Sequence, residues 1–221
     1  MSAYKHIDNR GKEIPLPLGK VVCVGRNYLK HIEELNNEVP SEPLLFMKPA
    51  TALCSLKQPV IIPKDKGACH NELEVAVLIK SPLSNGSSEE AKNAIWGIGL
   101  GLDLTLRDVQ SKLKAKGQPW ERAKAFDYSC PVSQFIEKKH IQDYANLEFS
   151  LKVAGKLRQQ GNTKQMIYSI TDLIVEISKH FKLMPGDIVM TGTPEGVGPL
   201  CAEEQLEVTL ENHFSVGTFV I

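Results

Sequence analysis

From Leu73 to Ile79 the chain reads Leu-Glu-Val-Ala-Val-Leu-Ile, apolar except for Glu74, with Glu72 just ahead of it. An apolar run this continuous predicts a strand over Glu72–Lys80 that is buried on both faces. Strand side chains repeat every two residues, so Glu72 and Glu74 share a face. Two carboxylates about 5 Å apart repel by roughly 3 kcal/mol at an effective dielectric near 20. Solvent at an exposed strand end, a shared proton, a basic partner or a divalent cation would each relieve that. Any fold the chain adopts must bury this strand and still answer for the two charges at its head.

The other elements read as short strands with few helices. Lys20–Val24 predicts a strand ending at Gly25, and Asn27–Asn36 one or two helical turns. Pro59–Pro63 brackets an apolar triplet read as a strand. Ser87–Ile95 predicts a helix capped by Ser87 or Ser88, with Glu89 and Glu90 in its first turn. Gly97–Leu106 predicts a strand whose alternating glycines admit other backbone closely. Leu147, Phe149, Leu151 and Val153 alternate up to Ala154-Gly155, a hairpin signature. An apolar stripe from Met166 to Phe181 predicts the best helix, capped by Thr163 and stopped by Pro185-Gly186. Ile188–Met190, Leu206–Leu210 and a last segment ending at Ile221 complete the strands. The expected fold class is therefore α+β and β-rich.

With 221 residues the default is one domain, read here as residues 20–221 with residues 1–19 as an N-terminal extension packed on it. Lys plus Arg and Asp plus Glu are equal at 26 each. The resulting zero net charge argues against nucleic acid and anionic membranes as partners. No uncharged apolar run approaches the roughly 18 residues that span a bilayer. Met1–Arg10 carries no signal-peptide core, and the five widely spaced cysteines suggest neither disulfides nor zinc. A cytoplasmic location is expected.

Chemistry concentrates in a few places. Asp103 ends the glycine-alternating strand, and a lone aspartate there needs a partner if buried. Together with Glu72 and Glu74 it makes an oxygen-only set suited to Mg²⁺ or Mn²⁺, provided the two strands are neighbours. Asp103 turned away, or a lysine or arginine between the three, would defeat that assignment. His31 and Glu34 share a helical face, as either a solvated pair or a base with its orienting carboxylate. Thr191-Gly-Thr-Pro-Glu-Gly-Val-Gly-Pro199 is either a tight turn or a loop offering N–H groups to an anion. Lys124 is either solvated or placed to neutralise a carboxylate or oxyanion. Arg107 and Gln110 share a face if the chain turns helical there.

These segments together resemble the fumarylacetoacetate hydrolase family. The carriers are Gly25-Arg-Asn-Tyr-Leu-Lys-His31 with Glu34, Leu45-Phe-Met-Lys-Pro49, Asn71-Glu-Leu-Glu74 and Leu102-Asp-Leu-Thr-Leu-Arg-Asp108. Ala123-Lys-Ala-Phe126, Ser129-Cys-Pro131, Leu183-Met-Pro-Gly-Asp187 and the Thr191–Pro199 loop follow in family order. The chain is most similar to the single-domain acylpyruvase branch. The resemblance implies a mixed β-sandwich roll, usually dimeric, with Glu72, Glu74 and Asp103 on one Mg²⁺ or Mn²⁺. It implies His31 and Glu34 as a base dyad on a lid, and Lys124, Arg107, Gln110 and Thr193 around a small 2-oxo acid.

The implied reaction is hydrolysis of a carbon–carbon bond in a 2,4-diketo acid, giving pyruvate and a carboxylic acid. Oxaloacetate decarboxylation or tautomerisation, and isomerisation of 2-hydroxyhepta-2,4-diene-1,7-dioate, use the same parts. A non-catalytic metal or anion-binding module is the rival from another class. Replacing His31 by Ala is expected to abolish turnover, a loss of about 10²–10⁴-fold, and to leave metal binding intact. Lost metal binding, or full activity, in that variant would remove His31 from its role.

Overall fold

The computed structural model describes residues 4–221. Fifteen strands and five helices are labelled in chain order. They begin β1 (Val21–Gly25), α1 (Leu29–Glu34), β2 (Leu44–Lys48), β3 (Leu53–Ser55), β4 (Cys69–Asn71) and β5 (Leu73–Ile79). Next come α2 (Ser88–Ala94), β6 (Ile95–Leu102), β7 (Thr105–Leu106), α3 (Arg107–Ala115), α4 (Glu121–Lys124), β8 (Cys130–Val132) and β9 (Ile136–Glu137). The last are β10 (Glu148–Val153), β11 (Lys156–Asn162), α5 (Ile170–His180), β12 (Ile188–Met190), β13 (Gly198–Pro199), β14 (Gln205–Leu210) and β15 (Phe214–Phe219).

The main sheet has the order β2-β1-β12-β5-β6-β8-β3, and β9 also pairs with β6. It is mixed: β1 runs parallel to β12 and β3 to β8, whereas β5 is antiparallel to both its neighbours. A second, antiparallel sheet has the order β11-β10-β14-β15, and a small third one β13-β4-β7. The expected β-rich α+β class and sandwich-roll architecture hold.

Every residue of β5 is buried, as the apolar run predicted. The two faces of the strand feed different cores. Val75, Val77 and Ile79 join the larger one with Leu151, Leu173, Ile174 and Ile177. Ala76 and Leu78 join a smaller one with Val21, Cys23, Cys130, Phe135 and Met190. The glutamates head this second face. At the N-terminal side, His6 Nε2 lies 3.2 Å from both Pro17 O and Gly186 O, and Phe135 N–H donates to Ile7 O at 2.9 Å. No helix among the described residues is long and apolar enough to cross a membrane.

Local signals fixed several boundaries. Ser87 caps α2 through a complete capping box with Glu90. Ala154 and Gly155 both have positive φ, +49° and +75°, as a type I′ hairpin turn requires. Three expectations need correction. The helix predicted from Thr163 begins at Ile170 under a Ser169 cap, and Thr163–Gln165 is a separate 3₁₀ turn. The cause is tertiary: Ile167 N–H donates to Asn27 O at 2.9 Å and Tyr168 N–H to Asn27 Oδ1 at 2.8 Å, which holds that stretch out of the helix.

The Pro59–Pro63 triplet makes only a bridge, Val60 to Val220, because prolines at both ends supply no N–H to a ladder. The strand predicted over Gly97–Leu106 breaks after Leu102, and Asp103-Leu104 separates β6 from β7.

The glycines of β6 serve as expected. A Cβ on Gly97 would land on the Ile136 carbonyl oxygen, and one on Gly101 would lie 2.9 Å from the Met190 thioether. Gly97→Ala should therefore destabilise the protein by about 1–3 kcal/mol through overpacking against backbone. Gly217→Ala on β15, where a Cβ meets nothing within 4 Å, should stay within about 0.5 kcal/mol. Urea unfolding of the two variants checks the contrast.

Candidate metal centre and active site

Asp103 reaches the glutamates because the β5–β6 ladder continues one step past the strands. Leu73 faces Leu102 and Glu74 faces Gly101. The next amide, Asp103 N–H, donates to Glu72 O at 2.8 Å. Asp103 thus stands across from Glu72, and one carboxylate oxygen from each of Glu72, Glu74 and Asp103 lies within 4.8 Å of the others. All three side chains are buried.

Three cations answer for this charge. Lys124, on α4, donates to Glu72 Oε2 at 2.8 Å and to Asp103 Oδ2 at 2.6 Å. Arg107, at the start of α3, pairs with Glu72 Oε1. Lys48, fully buried at the end of β2, brings Nζ to 2.9 Å from Asp103 Oδ1. Burial opposes the ionised form of Glu72, yet Lys124, Arg107 and His31 outweigh it and hold its pKa below the usual carboxylate range. Burial likewise opposes the Lys124 ammonium, but Asp103 and Glu72 raise its pKa above that of an ordinary lysine.

Glu74 is the exception. Burial, then Asp103 and Glu72, push its pKa well above the usual range. No cation pairs directly with it among the described residues, and its Oε2 accepts from Gly192 N–H at 2.7 Å. Asp103 therefore turns inward, as a metal site demands, while an ammonium spans one edge of the triangle. The condition that no lysine stand there was too strict. A carboxylate offers about four lone-pair directions, so Glu72 and Asp103 can serve Lys124 and a metal together. The donor set is all oxygen, and Glu74 is left without a counter-charge. These residues fit a hard dication such as Mg²⁺ or Mn²⁺.

His31 and Glu34 form the expected pair on α1, with His31 Nδ1 3.4 Å from Glu34 Oε2. Burial, the largest influence, lowers the His31 pKa, against opposing pulls from Glu72 and Glu34. The imidazole is thus neutral at physiological pH. Glu34 accepting at Nδ1–H leaves the Nε2 lone pair free. The other oxygen of Glu34 accepts from Gly196 N–H at 3.0 Å. The glycine-rich loop does offer backbone N–H groups, then, and they meet the chain's own carboxyl groups, Glu34 and Glu74. Gly192 and Gly196 sit at φ +95° and +93°, a region that suits glycine.

His31, Glu72, Glu74, Asp103, Arg107, Gln110, Lys124 and Thr193 line one cavity of about 40 Å³, with Glu34 behind His31. Arg107 Nη1 donates to Gln110 Oε1 at 2.6 Å across one turn of α3, the shared face expected. A larger groove of about 1090 Å³, lined by Met47, Asp65, Val109, Lys112 and Phe126, contains none of the three carboxylates and not His31. The cysteines are free, and burial pushes the Cys54 and Cys69 thiols up to about 12.

Three supporting residues carried no assigned role in the sequence. Asn27 ties the Thr191 carbonyl, at 2.8 Å, to the Tyr168 backbone. Gln159 accepts from Asn71 and from Leu73 N–H and donates to Thr193 Oγ1 and Pro194 O, fixing the glycine-rich loop to β5. Lys48 donates to Lys124 O, to Ser129 O at 3.1 Å and to Ser129 Oγ at 3.0 Å, besides facing Asp103. A lysine closing the apolar run Leu44–Met47 was the available signal for it. Lys48→Met should cost about 1–3 kcal/mol, since it removes one of the two ammonium groups on the buried Asp103 carboxylate and leaves Lys124 to hold it. Urea unfolding measures the loss.

Against known proteins, residues 20–217 match the family described as fumarylacetoacetate (FAA) hydrolase C-terminal. The chain is 53% identical to oxaloacetate tautomerase YcgM of Escherichia coli (strain K12) over 211 residues, covering 95% of this chain and 96% of the relative. It is 44% identical to a mitochondrial oxaloacetate tautomerase of Bos taurus, covering 89% of each. The crystal structure of fumarylpyruvate hydrolase from Pseudomonas aeruginosa in complex with Mn²⁺ and pyruvate superposes with a TM-score of 0.93. It is 31% identical, covering 100% of this chain and 97% of that one. These likenesses run nearly end to end and span the whole buried site, and the chain belongs to the fumarylacetoacetate hydrolase family.

Proposed function

We propose that this protein interconverts the keto and enol forms of oxaloacetate in a reaction dependent on Mg²⁺ or Mn²⁺. The observation that carries this is a buried, carboxylate-oriented imidazole lining the same cavity as the three-carboxylate cluster. Two relatives at 53% and 44% identity are named for this reaction, whereas the fumarylpyruvate hydrolase stands at 31%. Carbon–carbon hydrolysis, the reaction first expected from the sequence, is therefore the weaker assignment.

Glu72, Glu74 and Asp103 would hold a divalent cation, whose Lewis acidity would make the C3–H beside a 2-oxo group easier to ionise. His31 Nε2 takes that proton and exchanges it with water, and solvent supplies the proton of the enol oxygen. Because Lys124 holds its proton firmly, it acts as a fixed donor that stabilises negative charge on the 2-oxygen, a contribution of about 3 kcal/mol. Arg107, held on Glu72 and Gln110, is placed for the adjacent carboxylate. Glu34 fixes the imidazole.

The test follows ketonisation of enol-oxaloacetate by ultraviolet absorbance, beside hydrolysis of acetylpyruvate. Catalysis should require Mg²⁺ or Mn²⁺ and vanish with chelator. Faster turnover of acetylpyruvate, or enol decay indifferent to chelation, would overturn the assignment. His31 is active as the neutral base, so at saturating metal, where protonation of Glu74 does not empty the site, the rate should fall as pH drops through the lowered pKa of His31. The acid limb of the pH–rate profile should thus lie below about 6.5, the ordinary histidine value.

A further inference from the structure

Arg26 and Lys114 are cations that the reaction above leaves unused, and both line the cavity of the carboxylate cluster. They converge on one neutral acceptor: Arg26 Nη2 donates to Asn37 Oδ1 at 3.1 Å, and Lys114 Nζ donates to the same oxygen at 2.8 Å. Arg26 also reaches Glu38 O at 3.2 Å. Neither forms an ion pair with a carboxylate among the described residues, unlike Lys48, Arg107 and Lys124. Desolvation, then Arg26 and Arg107, lower the Lys114 pKa, as expected of like charges gathered without an anion.

The geometry of α3 places this pair relative to the reacting end. Arg107, Gln110 and Lys114 follow at i, i+3 and i+7 along the helix and line one face. Seven residues rise about 10 Å, and helical side chains lean toward the N-terminus, so Lys114 reaches back toward Arg107. Arg107 stands on Glu72 at the inner end of the cavity, and Lys114 with Arg26 stands at the outer end.

We propose that Arg26 and Lys114 form a subsite for the distal carboxylate of a dicarboxylic 2-oxo acid, and so set the preference for dicarboxylic over monocarboxylic substrates. The proposal rests on the oxaloacetate reaction above and deepens it. One carboxylate and the 2-oxo group occupy the inner end, and the second carboxylate takes the place of Asn37 Oδ1 as the shared acceptor. Charge-assisted bonds from two cations make this contact selective, because a methyl or acetyl group there would leave both cations without an anion.

The test compares oxaloacetate with pyruvate, which lacks the distal carboxylate, on Lys114→Met and Arg26→Asn. Asparagine tolerates the φ of +60° at position 26. In both variants KM for oxaloacetate should rise about tenfold or more, with kcat nearly kept. The inhibition constant of pyruvate should stay within about twofold, the uniform-binding pattern confined to one end of the ligand. Lys114→Arg should recover most of the affinity. Equal weakening of both ligands, or no change in either, would overturn the subsite. Should the wild-type protein bind oxaloacetate without turning it over, the reaction assignment fails alone. The shift in melting temperature with oxaloacetate against pyruvate, in the presence of Mn²⁺, then reads the subsite by the same criterion.

Discussion

Three carboxylates brought to one point between two buried strands are the constraint around which this molecule is arranged. Roughly 3 kcal/mol of repulsion per close pair cannot stand unanswered where water is excluded. Lys124 from α4, Arg107 from α3 and Lys48 from β2 come from separate elements to meet it. Gly192 N–H from the glycine-rich loop meets Glu74. The answer is incomplete at Glu74, and an oxygen-liganded dication would complete it. Cohesion of the strands and readiness for a metal thus have one electrostatic origin.

Much of this was legible in the residues. The unbroken apolar run of β5 declared a strand buried on both faces, and its period of two set Glu72 and Glu74 side by side. The Ser87 capping box and the Ala154-Gly155 turn were equally plain, because their causes are local. What could not be read was long-range. The meeting of Asp103 with Glu72 depends on the β5–β6 register, and only the resemblance supplied it. The late start of α5 depends on Asn27, some 140 residues away in the chain, which claims two amides that periodicity assigned to a helix. Lys48 was visible as a lysine ending an apolar strand, but its buried bonds to Ser129 and Lys124 needed the tertiary structure.

The chemistry narrows in a similar way. Carboxylates, a neutral imidazole and a retained ammonium are common to hydrolysis, decarboxylation and tautomerisation of 2-oxo acids, since each passes through charge on the 2-oxygen. The core of the site therefore identifies a class of reactions. On the reading proposed above, discrimination among them would fall to the outer wall, toward which the substituent at C3 would point. There the chain presents Arg26, Lys114 and Asn37, a polar, cationic surface better matched to a second carboxylate than to an acyl chain.

Glu34 holds His31 with one oxygen and the backbone of Gly196 with the other. A single side chain is thus both the clasp that fastens α1 to the loop and the rudder that aims the imidazole. Any displacement of α1 that undoes the clasp also frees the ring to rotate. The seat of α1 on the loop and the aim of the base thus answer to one residue.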